Sequence, residues 1–417
     1  MNVFVSAILW ITYFISLYFA IFWLLVFLEN RKAGKKLRLK SFPRVSIAIP
    51  AYNEEDTIEA TLKSALKLEY PADKIEFIVV NDGSTDRTKG IAQELVKQNK
   101  EYNIKLINQK NKGKGAALNT AIKSSSGKYF VCLDSDSFVE KKALKKMLPY
   151  FCDDNVAAVL PSLKVRNPGN MIQRMQWYEY IINMFYKELM ARLNSVHVAP
   201  GPFSIYRKSI LEKVGGFDEK GNLTEDLEMA LRLQSRNYKL IQVLDTTVYT
   251  IAPSNMRALY AQRNRWYKGS IINAVRYKRM LFNRKYGDFG LIQMPTILIS
   301  GIIALTLILS TIYYSIKPYF VYYNNFKHVG FDFATFIRTF QFDFNVLDIN
   351  YTVLFVAICM IAITIYVISK SHVSVNEKIV KFGWFSFAAY LFLYFFVLAT
   401  MWIGIAFDLV TGKRQRW

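Results

Sequence analysis

The stretch Tyr129-Phe-Val-Cys-Leu-Asp-Ser-Asp-Ser-Phe138 decides how the chain folds. Its first five residues are apolar and predict a short strand that is buried on both faces. The strand ends at two carboxylates, Asp134 and Asp136, although strands disfavour aspartate. An isolated Asp-x-Asp is more often a turn whose aspartate caps the next helix. At the carboxyl end of a parallel strand, however, such a pair faces the crevice where open α/β sheets bind ligands, and its oxygens suit Mg²⁺ or Mn²⁺.

Alternating strand and helix signals surround this stretch, from about residue 44 to residue 248. The other predicted strands lie at 45–50, 75–80 and 104–107, and the predicted helices at 55–68, 88–98 and 116–124. This alternation predicts a mostly parallel sheet with helices on both faces.

Polar segments follow these predicted strands. Pro50-Ala-Tyr-Asn-Glu-Glu55 and Asn81-Asp-Gly-Ser-Thr-Asp86 are each also consistent with a turn and a helix N-cap. Asn111-Lys-Gly-Lys-Gly-Ala-Ala-Leu-Asn119 is a basic, glycine-rich lead into a helix. Such a loop can approach a phosphate with its N–H groups and Lys114, although a single glycine loop is weak support for a phosphate site.

Composition limits the classes of protein that fit. The chain has 417 residues, 52% of them hydrophobic, a mean hydropathy of +0.14 and a net charge of +22. These values predict several domains, part of them in a membrane, and a partner that is either nucleic acid or an anionic membrane surface. No nucleic-acid-binding motif is present, so membrane lipids are the expected partner. The three cysteines and three histidines are scattered, which excludes a disulfide framework and a zinc site.

Four apolar stretches predict membrane-spanning helices, near 3–28, 294–316, 351–369 and 384–407. The basic block Arg31–Lys40 follows the first of them and predicts that the next domain faces the cytoplasm. With one span before that domain and three after it, the basic tail 412–417 would lie outside the cell. Its positive charge, however, favours the cytoplasmic side. A crossing or re-entrant segment within an expected loop at 317–350 resolves this conflict. Two amphipathic stretches, 171–193 and 256–280, are predicted to lie in the membrane interface.

The polar segments resemble those of family 2 inverting glycosyltransferases that have the GT-A nucleotide-sugar fold. The resemblance rests on Ala51-Tyr-Asn-Glu54, Val80-Asn-Asp-Gly-Ser84, Lys112-Gly-Lys-Gly115 and Asp134-Ser-Asp136. Leu223-Thr-Glu-Asp226 resembles the family's general-base motif, and Gln262-Arg-Asn-Arg-Trp266 the Gln-x-x-Arg-Trp motif of its membrane-integrated members. Those members include hyaluronan, chitin, cellulose and poly-N-acetylglucosamine synthases. Together these motifs span about residues 44–270, in the family's order.

The resemblance implies a role for each matching residue. Asp226 is the expected general base, and Glu225 beside it is a second expected catalytic residue. Asp136, assisted by Asp134, is expected to bind Mg²⁺ or Mn²⁺. Gln262 and Trp266 are expected to bind the acceptor. The donor, a nucleotide sugar whose base is uridine by the family pattern, is assigned to Tyr52, Glu54, Asp82, Lys114, Asp134, Ser135 and Arg265.

We therefore expect an α/β GT-A domain, with a mostly parallel sheet, joined to interfacial amphipathic helices and a transmembrane helical region. The expected parts are a transmembrane helix at 1–30, a cytoplasmic catalytic domain at 41–250, interfacial helices at 251–292 and a transmembrane region at 293–417. This arrangement predicts a plasma-membrane enzyme that extends and exports a polysaccharide, with or without an accessory subunit. Two alternatives remain: transfer of one sugar to a membrane lipid, such as a polyprenyl phosphate or a ceramide-like acceptor, and a catalytically inactive translocation scaffold.

Overall fold

The computed structural model describes residues 3–29, 39, 41–219, 222–329 and 351–411. Its strands are β1 (Val45–Ala51), β2 (Ile75–Asp82), β3 (Asn103–Gln109), β4 (Tyr129–Cys132), β5 (Ser137–Val139), β6 (Val156–Val165), β7 (Ser204–Arg207) and β8 (Lys239–Thr250). Its helices are α1 (Val3–Leu28), α2 (Ile58–Leu66), α3 (Thr88–Gln98), α4 (Lys114–Ser124), α5 (Ala143–Met147), α6 (Met171–Arg192), α7 (Lys208–Lys213), α8 (Glu225–Gln234), α9 (Met256–Arg276), α10 (Met294–Val329), α11 (Tyr351–Ser374) and α12 (Gly383–Val410).

The strands form one sheet in the order β3-β2-β1-β4-β7-β6-β8-β5. β1 pairs in parallel with β2 and β4, β2 with β3, and β6 with β8, whereas β7 and β5 run antiparallel to their neighbours. The mostly parallel α/β sheet predicted from the sequence is therefore confirmed. The order of the parallel strands reverses between β1 and β4, and such a reversal opens a crevice at their carboxyl ends.

Helices cover both faces of this sheet, which is why its central strands are mostly apolar. Every residue of β1 and β2 is buried. Apolar residues of α2, α3 and α6 pack on one face, and those of α4, α7 and α8 on the other. The alternation seen in the sequence thus becomes a three-layer α/β domain, with the strand ends left open to form a site.

The apolar stripe of α6 is part of the core. Tyr178 is 0% exposed and belongs to the core cluster on one face of the sheet, and Met175 packs against Ala389 and Tyr394 of α12. The helix therefore lies between the sheet and α12. The interfacial position predicted for it stays a prediction.

Four of the described helices are long and apolar enough to cross a membrane: Trp10–Leu28, Phe289–Ser310, Leu354–Ser374 and Gly383–Asp408. They coincide with the four apolar stretches predicted from the sequence. The loop expected to begin at residue 317 begins later, because α10 continues to Val329. Residues 330–350, the tail 412–417 and all of the basic block except Leu39 lie outside the described residues.

The chain divides into two compact units. One combines Met1–Glu29 with Ile299–Val367, and the other combines Asn30–Leu298 with Ile368–Trp417. The last apolar helix, α12, thus belongs to the same unit as the sheet, where it packs on α6 and α9.

Candidate active site

The loops that follow β1 and β2 hold each other at the crevice. The Asn53 N–H donates to Ser84 Oγ at 3.1 Å, and the Thr85 N–H donates to Asn53 Oδ1 at 2.9 Å. Asn53 has a φ of 54°, a left-handed conformation that asparagine tolerates better than most residues. This cross-link fixes the residues on either side of Asn53, so that Tyr52 lies at the exposed rim and Glu54 is part-buried.

Asp82 holds the glycine-rich loop that the sequence predicted. Its carboxylate accepts hydrogen bonds from Gln109 Nε2 at 2.7 Å, the Lys112 N–H at 3.0 Å and the Gly113 N–H at 2.8 Å. Gly113 adopts a φ of 90°, which glycine allows without strain. The loop then enters α4 at Lys114. In this structure Asp82 positions the loop, and its contact with a nucleotide stays a prediction.

Lys114 joins two acidic motifs that lie far apart in the sequence. Its Nζ lies 2.7 Å from Asp134 Oδ1 and 3.1 Å from Glu225 Oε1. Burial disfavours the charged ammonium, but the charges of Asp134, Glu225 and Asp226 outweigh it and raise the pKa of Lys114 well above its usual value. Lys114 is therefore a permanent cation at the centre of the site.

Gly201 leaves room for this ion pair. A β-carbon at position 201 would lie 2.6 Å from both Asp134 Oδ2 and Lys114 Nζ. Gly201 belongs to the segment Pro200-Gly-Pro-Phe-Ser-Ile-Tyr-Arg207, which contributes to the site through this close approach of its backbone.

The second carboxylate of the Asp-x-Asp pair, Asp136, lies in a crowded acidic environment. It accepts a hydrogen bond from Ser137 Oγ at 3.0 Å. Burial, together with the charges of Asp134 and Glu54, raises the pKa of Asp136 to about 6. Ser135, between the two aspartates, is buried and its carbonyl accepts a hydrogen bond from Thr61 Oγ1 at 2.8 Å.

This acidic environment fits a hard divalent cation. The repulsion that raises the pKa of Asp136 is what a bound Mg²⁺ or Mn²⁺ would relieve. The described residues include no group of three or more His, Cys, Asp or Glu side chains arranged to hold a metal. The remaining ligands would therefore be donor oxygens and water, as is usual for Mg²⁺ at phosphate sites.

Asp226 lies in the first turn of α8, directly after Glu225. Burial and the charge of Glu225 raise the pKa of Asp226 to about 6, although Lys114 and the Leu227 N–H, which donates to Asp226 Oδ1 at 2.8 Å, oppose the rise. A carboxylate with this pKa is ionised at neutral pH and is a stronger base than an ordinary aspartate.

Helix α9 carries the Gln-x-x-Arg-Trp motif and packs directly against the start of α8. At Gly269 the two segments approach so closely that a β-carbon would lie 2.4 Å from Thr224 Oγ1. Asn273 Nδ2 donates to Thr224 Oγ1 and to Asn222 Oδ1, each at 3.1 Å. The motif helix is thereby held beside Glu225 and Asp226.

The motif residues differ in their surroundings. Gln262, Arg265 and Trp266 are half-buried. Arg263 is fully buried, with its Cζ 4.3 Å from the centre of the Trp266 ring. Arg263 was not predicted from the sequence, because it occupies a variable position of the motif. Gly201 lies in a segment that resembles one of the family's, but its close approach to Asp134 was not predicted, and neither was that of Gly269 to Thr224.

The predicted site residues are thus brought together to different degrees. Lys114, Asp134 and Glu225 are in direct contact, and Asp136 and Asp226 lie within the electrostatic influence of this group. The structure therefore unites the glycine-rich loop, the Asp-x-Asp pair and the Thr-Glu-Asp segment in one acidic crevice that contains a permanent cation.

Comparison with known proteins agrees with this geometry. Residues 46–215 match Glycosyl transferase family 2, so the chain contains a family 2 glycosyltransferase domain. The mannosyltransferase PcManGT from Pyrobaculum calidifontis, solved in complex with GDP-Man and Mn2+, has a similar fold, with a TM-score of 0.54 and 23% identity over 66% of this chain and 74% of that one. The domain therefore has a GT-A-like fold.

Two curated relatives resemble the chain over more residues than the family match covers. The poly-beta-1,6-N-acetyl-D-glucosamine synthase of Staphylococcus epidermidis is 29% identical over 269 residues, which are 61% of this chain and 64% of the relative. The synthase of the same name from Staphylococcus aureus (strain MSSA476) is 32% identical over 228 residues, or 54% of each chain. The chain thus matches less than two thirds of the length of either relative.

Proposed function

We propose that this protein is a membrane-bound inverting glycosyltransferase that adds N-acetylglucosamine from a UDP-sugar donor to the end of a growing polysaccharide and passes the polymer across the membrane. The identity of the sugar rests on the two staphylococcal relatives. The four apolar helices support the membrane location. We further propose that residues 41–250 catalyse transfer on the cytoplasmic side, that 251–292 lie in the interface, and that 1–30 and 293–417 form the membrane region, with or without an accessory subunit.

The observation that carries the proposal is the position of Asp226. Inversion by a single displacement needs one base to remove the proton of the acceptor hydroxyl. Asp226 lies at the start of α8, within the electrostatic influence of Lys114 and beside the motif helix α9. Its pKa of about 6 leaves it ionised at neutral pH and suited to accept that proton.

The donor diphosphate would be held by fixed positive charge. Lys114 is the part-buried cation of the site, and Arg265 offers a guanidinium fork that can bind phosphate oxygens in two places. Asp136 and Asp134 would hold Mg²⁺ or Mn²⁺, which supplies further charge neutralisation to the leaving diphosphate. The nucleotide would extend toward the β1 and β2 loops, where Tyr52, Glu54, Asp82 and Ser135 lie.

The acceptor would lie over α9. Trp266 provides an indole surface for stacking of a sugar ring, and Gln262 a hydrogen bond beside it. Because Arg263 covers one face of the indole, the acceptor ring would use the opposite face. Stacking tolerates small shifts of a ring along the surface, so a chain can slide after each addition.

Product analysis tests this proposal. Purified full-length protein in lipid nanodiscs is incubated with radiolabelled UDP-N-acetylglucosamine and Mg²⁺ or Mn²⁺, with UDP-glucose and GDP-mannose as comparison donors and Asp226→Asn as the inactive control. We expect an alkali-stable polymer from UDP-N-acetylglucosamine alone. A single labelled sugar on an organic-extractable lipid would instead indicate the lipid glycosyltransferase, and the absence of any transfer the inactive scaffold.

A further inference from the structure

A buried polar cluster connects the motif helix to two other helices. Arg263 of α9 is 0% exposed and forms an ion pair with Glu179 of α6. The Tyr394 hydroxyl of α12 donates to the same carboxylate at 2.7 Å. We call Arg263, Glu179 and Tyr394 the Arg263 cluster. It joins three helices at one point: α6, which covers one face of the sheet, the motif helix α9 and the last apolar helix α12.

The Arg263 cluster also contacts the predicted acceptor surface. The Arg263 Cζ lies 4.3 Å from the centre of the Trp266 ring. The centres of the Tyr180 and Trp266 rings are 6.5 Å apart. Burial raises the pKa of Tyr180 to about 12, with the charges of Glu179 and Asp136 adding to the rise and the charge of Arg263 opposing it. The Arg263 cluster thus adjoins the indole of Trp266.

Packing alone does not explain a charge at this position. Apolar residues of similar volume fill buried positions between helices at least as well as an ion pair does. A buried guanidinium, however, is rigid, has a fixed direction, and attracts the face of an indole from which water is excluded. Each of these properties restricts the orientation of Trp266.

A second polar cluster links α9 to α12. Asp408 Oδ2 accepts from Asn264 Nδ2 at 2.8 Å and from Lys268 Nζ at 2.9 Å. It resembles the Arg263 cluster in chemistry and in the helices that it joins, so it provides a matched control.

We propose that Arg263 is a positioning residue that fixes the indole of Trp266 for the acceptor, and that Glu179 and Tyr394 make this orientation depend on the packing of α12. The inference deepens the proposed function, since it rests on Trp266 as the acceptor surface. Arg263 contacts neither the donor nor the reacting atoms in this scheme. Its loss should therefore impair transfer to the acceptor and spare hydrolysis of the donor by water.

The test compares sugar transferred with UDP released, at saturating donor, in full-length protein. The double variant Glu179→Leu/Arg263→Met removes both charges together and retains apolar volume, so the fold should persist. We expect its transfer-to-hydrolysis ratio to fall about tenfold, which is the effect of losing a desolvated cation–π contact. Its UDP affinity and its unfolding temperature should stay within the range of wild type. Tyr394→Phe should lower the ratio a few-fold.

The control is the matched double variant Lys268→Met/Asp408→Leu, which should leave the ratio unchanged. An equal fall in the control would overturn the inference, because general loosening of α9 against α12 would then explain both results. An unchanged ratio in Glu179→Leu/Arg263→Met would overturn it as well. If that variant does not fold, Arg263→Lys replaces it in the test. Lysine retains the charge opposite Glu179 but not the planar group over Trp266, so a wild-type transfer-to-hydrolysis ratio in this variant would refute the proposal. Failure of the proposed function is distinct, since wild type itself would then form no polymer.

Discussion

Gly269 of α9 lies in contact with Thr224, the residue that precedes α8, and no side chain larger than hydrogen fits between them. Because Glu225 and Asp226 follow Thr224 directly, this contact sets how close the motif helix comes to the candidate base. The distance between the proposed acceptor surface and the candidate base is therefore determined by a glycine that belongs to neither motif.

Gly269→Ala should separate the two motifs. A β-carbon there would lie 2.4 Å from Thr224 Oγ1, so one segment must move. Because a displacement of about 1 Å can reduce a reaction rate by about 100-fold, we expect transfer to fall 10- to 100-fold with nearly unchanged UDP affinity. Gly90→Ala is the control, since it meets nothing within 4 Å and should be neutral or slightly stabilising. Equal turnover in both variants would refute the spacing argument.

Asp226→Asn should abolish the base without disturbing the fold. The amide keeps the shape of the side chain but cannot accept the acceptor proton, so turnover should fall about 10²- to 10⁴-fold. Nucleotide binding, measured by calorimetry, should change little, because the donor contacts lie on other residues. Turnover like that of wild type would remove Asp226 from its proposed role.

Transfer should also depend on pH in a way that Glu225 controls. The pKa of Asp226 is raised to about 6, so the carboxyl is protonated and inactive below that pH and ionised above it. At saturating donor and metal, the transfer rate should rise with pH through about 6. Glu225→Gln removes a neighbouring negative charge that helps to raise this pKa, so the midpoint should move to lower pH. A midpoint that moves upward or stays in place would contradict the assignment.

The fold was predictable from the sequence because the signals that specify its strands, helices and turns are local along the chain. The apolar run that ends at Asp134 and Asp136 predicted a buried strand with a polar end, and that strand is β4 beside β1. The same reasoning located β1, β2, β3 and their loops within a few residues. Periodicity and turn chemistry act over short distances along the chain, and a single sequence contains both.

The close contacts of the site were not predictable, because they join residues that are far apart in the sequence. Gly201 approaches Asp134, and Gly269 approaches Thr224, only after the chain has folded. The packing of α6 was not predictable either: its apolar stripe predicted a membrane interface, which stays a prediction, and gave no sign that Met175 and Tyr178 also pack against α12 and the sheet. Long-range packing decides such points, and no local pattern records it.

Asp136→Ala should abolish metal-dependent donor binding. The lost carboxylate leaves too few anionic oxygens to hold Mg²⁺, which gives up its water reluctantly. Calorimetry with UDP, with and without Mg²⁺ or Mn²⁺, measures the difference. Ser137→Ala is a suitable control, because it removes only the hydroxyl that donates to Asp136 Oδ1 at 3.0 Å. If Asp136→Ala retains the metal-dependent gain in affinity, Asp136 is a turn residue and not a ligand.

Trp266→Ala separates polymer synthesis from donor chemistry. The half-buried indole lies 4.3 Å from Arg263 Cζ and 6.5 Å from the Tyr180 ring, and we propose that it contacts the acceptor but not the donor. Its removal should therefore eliminate polymer while UDP binding stays nearly unchanged. Slow hydrolysis of the donor should persist, because Lys114 and Arg265 still stabilise the leaving diphosphate.

The assay follows both products of radiolabelled UDP-N-acetylglucosamine, with gel sizing for polymer and release of UDP for hydrolysis. Trp266→Phe is the matched control: it keeps an aromatic face, so it should retain shorter polymer at a reduced rate. Polymer of normal length from Trp266→Ala would exclude the indole as the acceptor surface. Loss of UDP binding in the same variant would place Trp266 on the donor side, where stacking of a sugar chain could not explain its contribution.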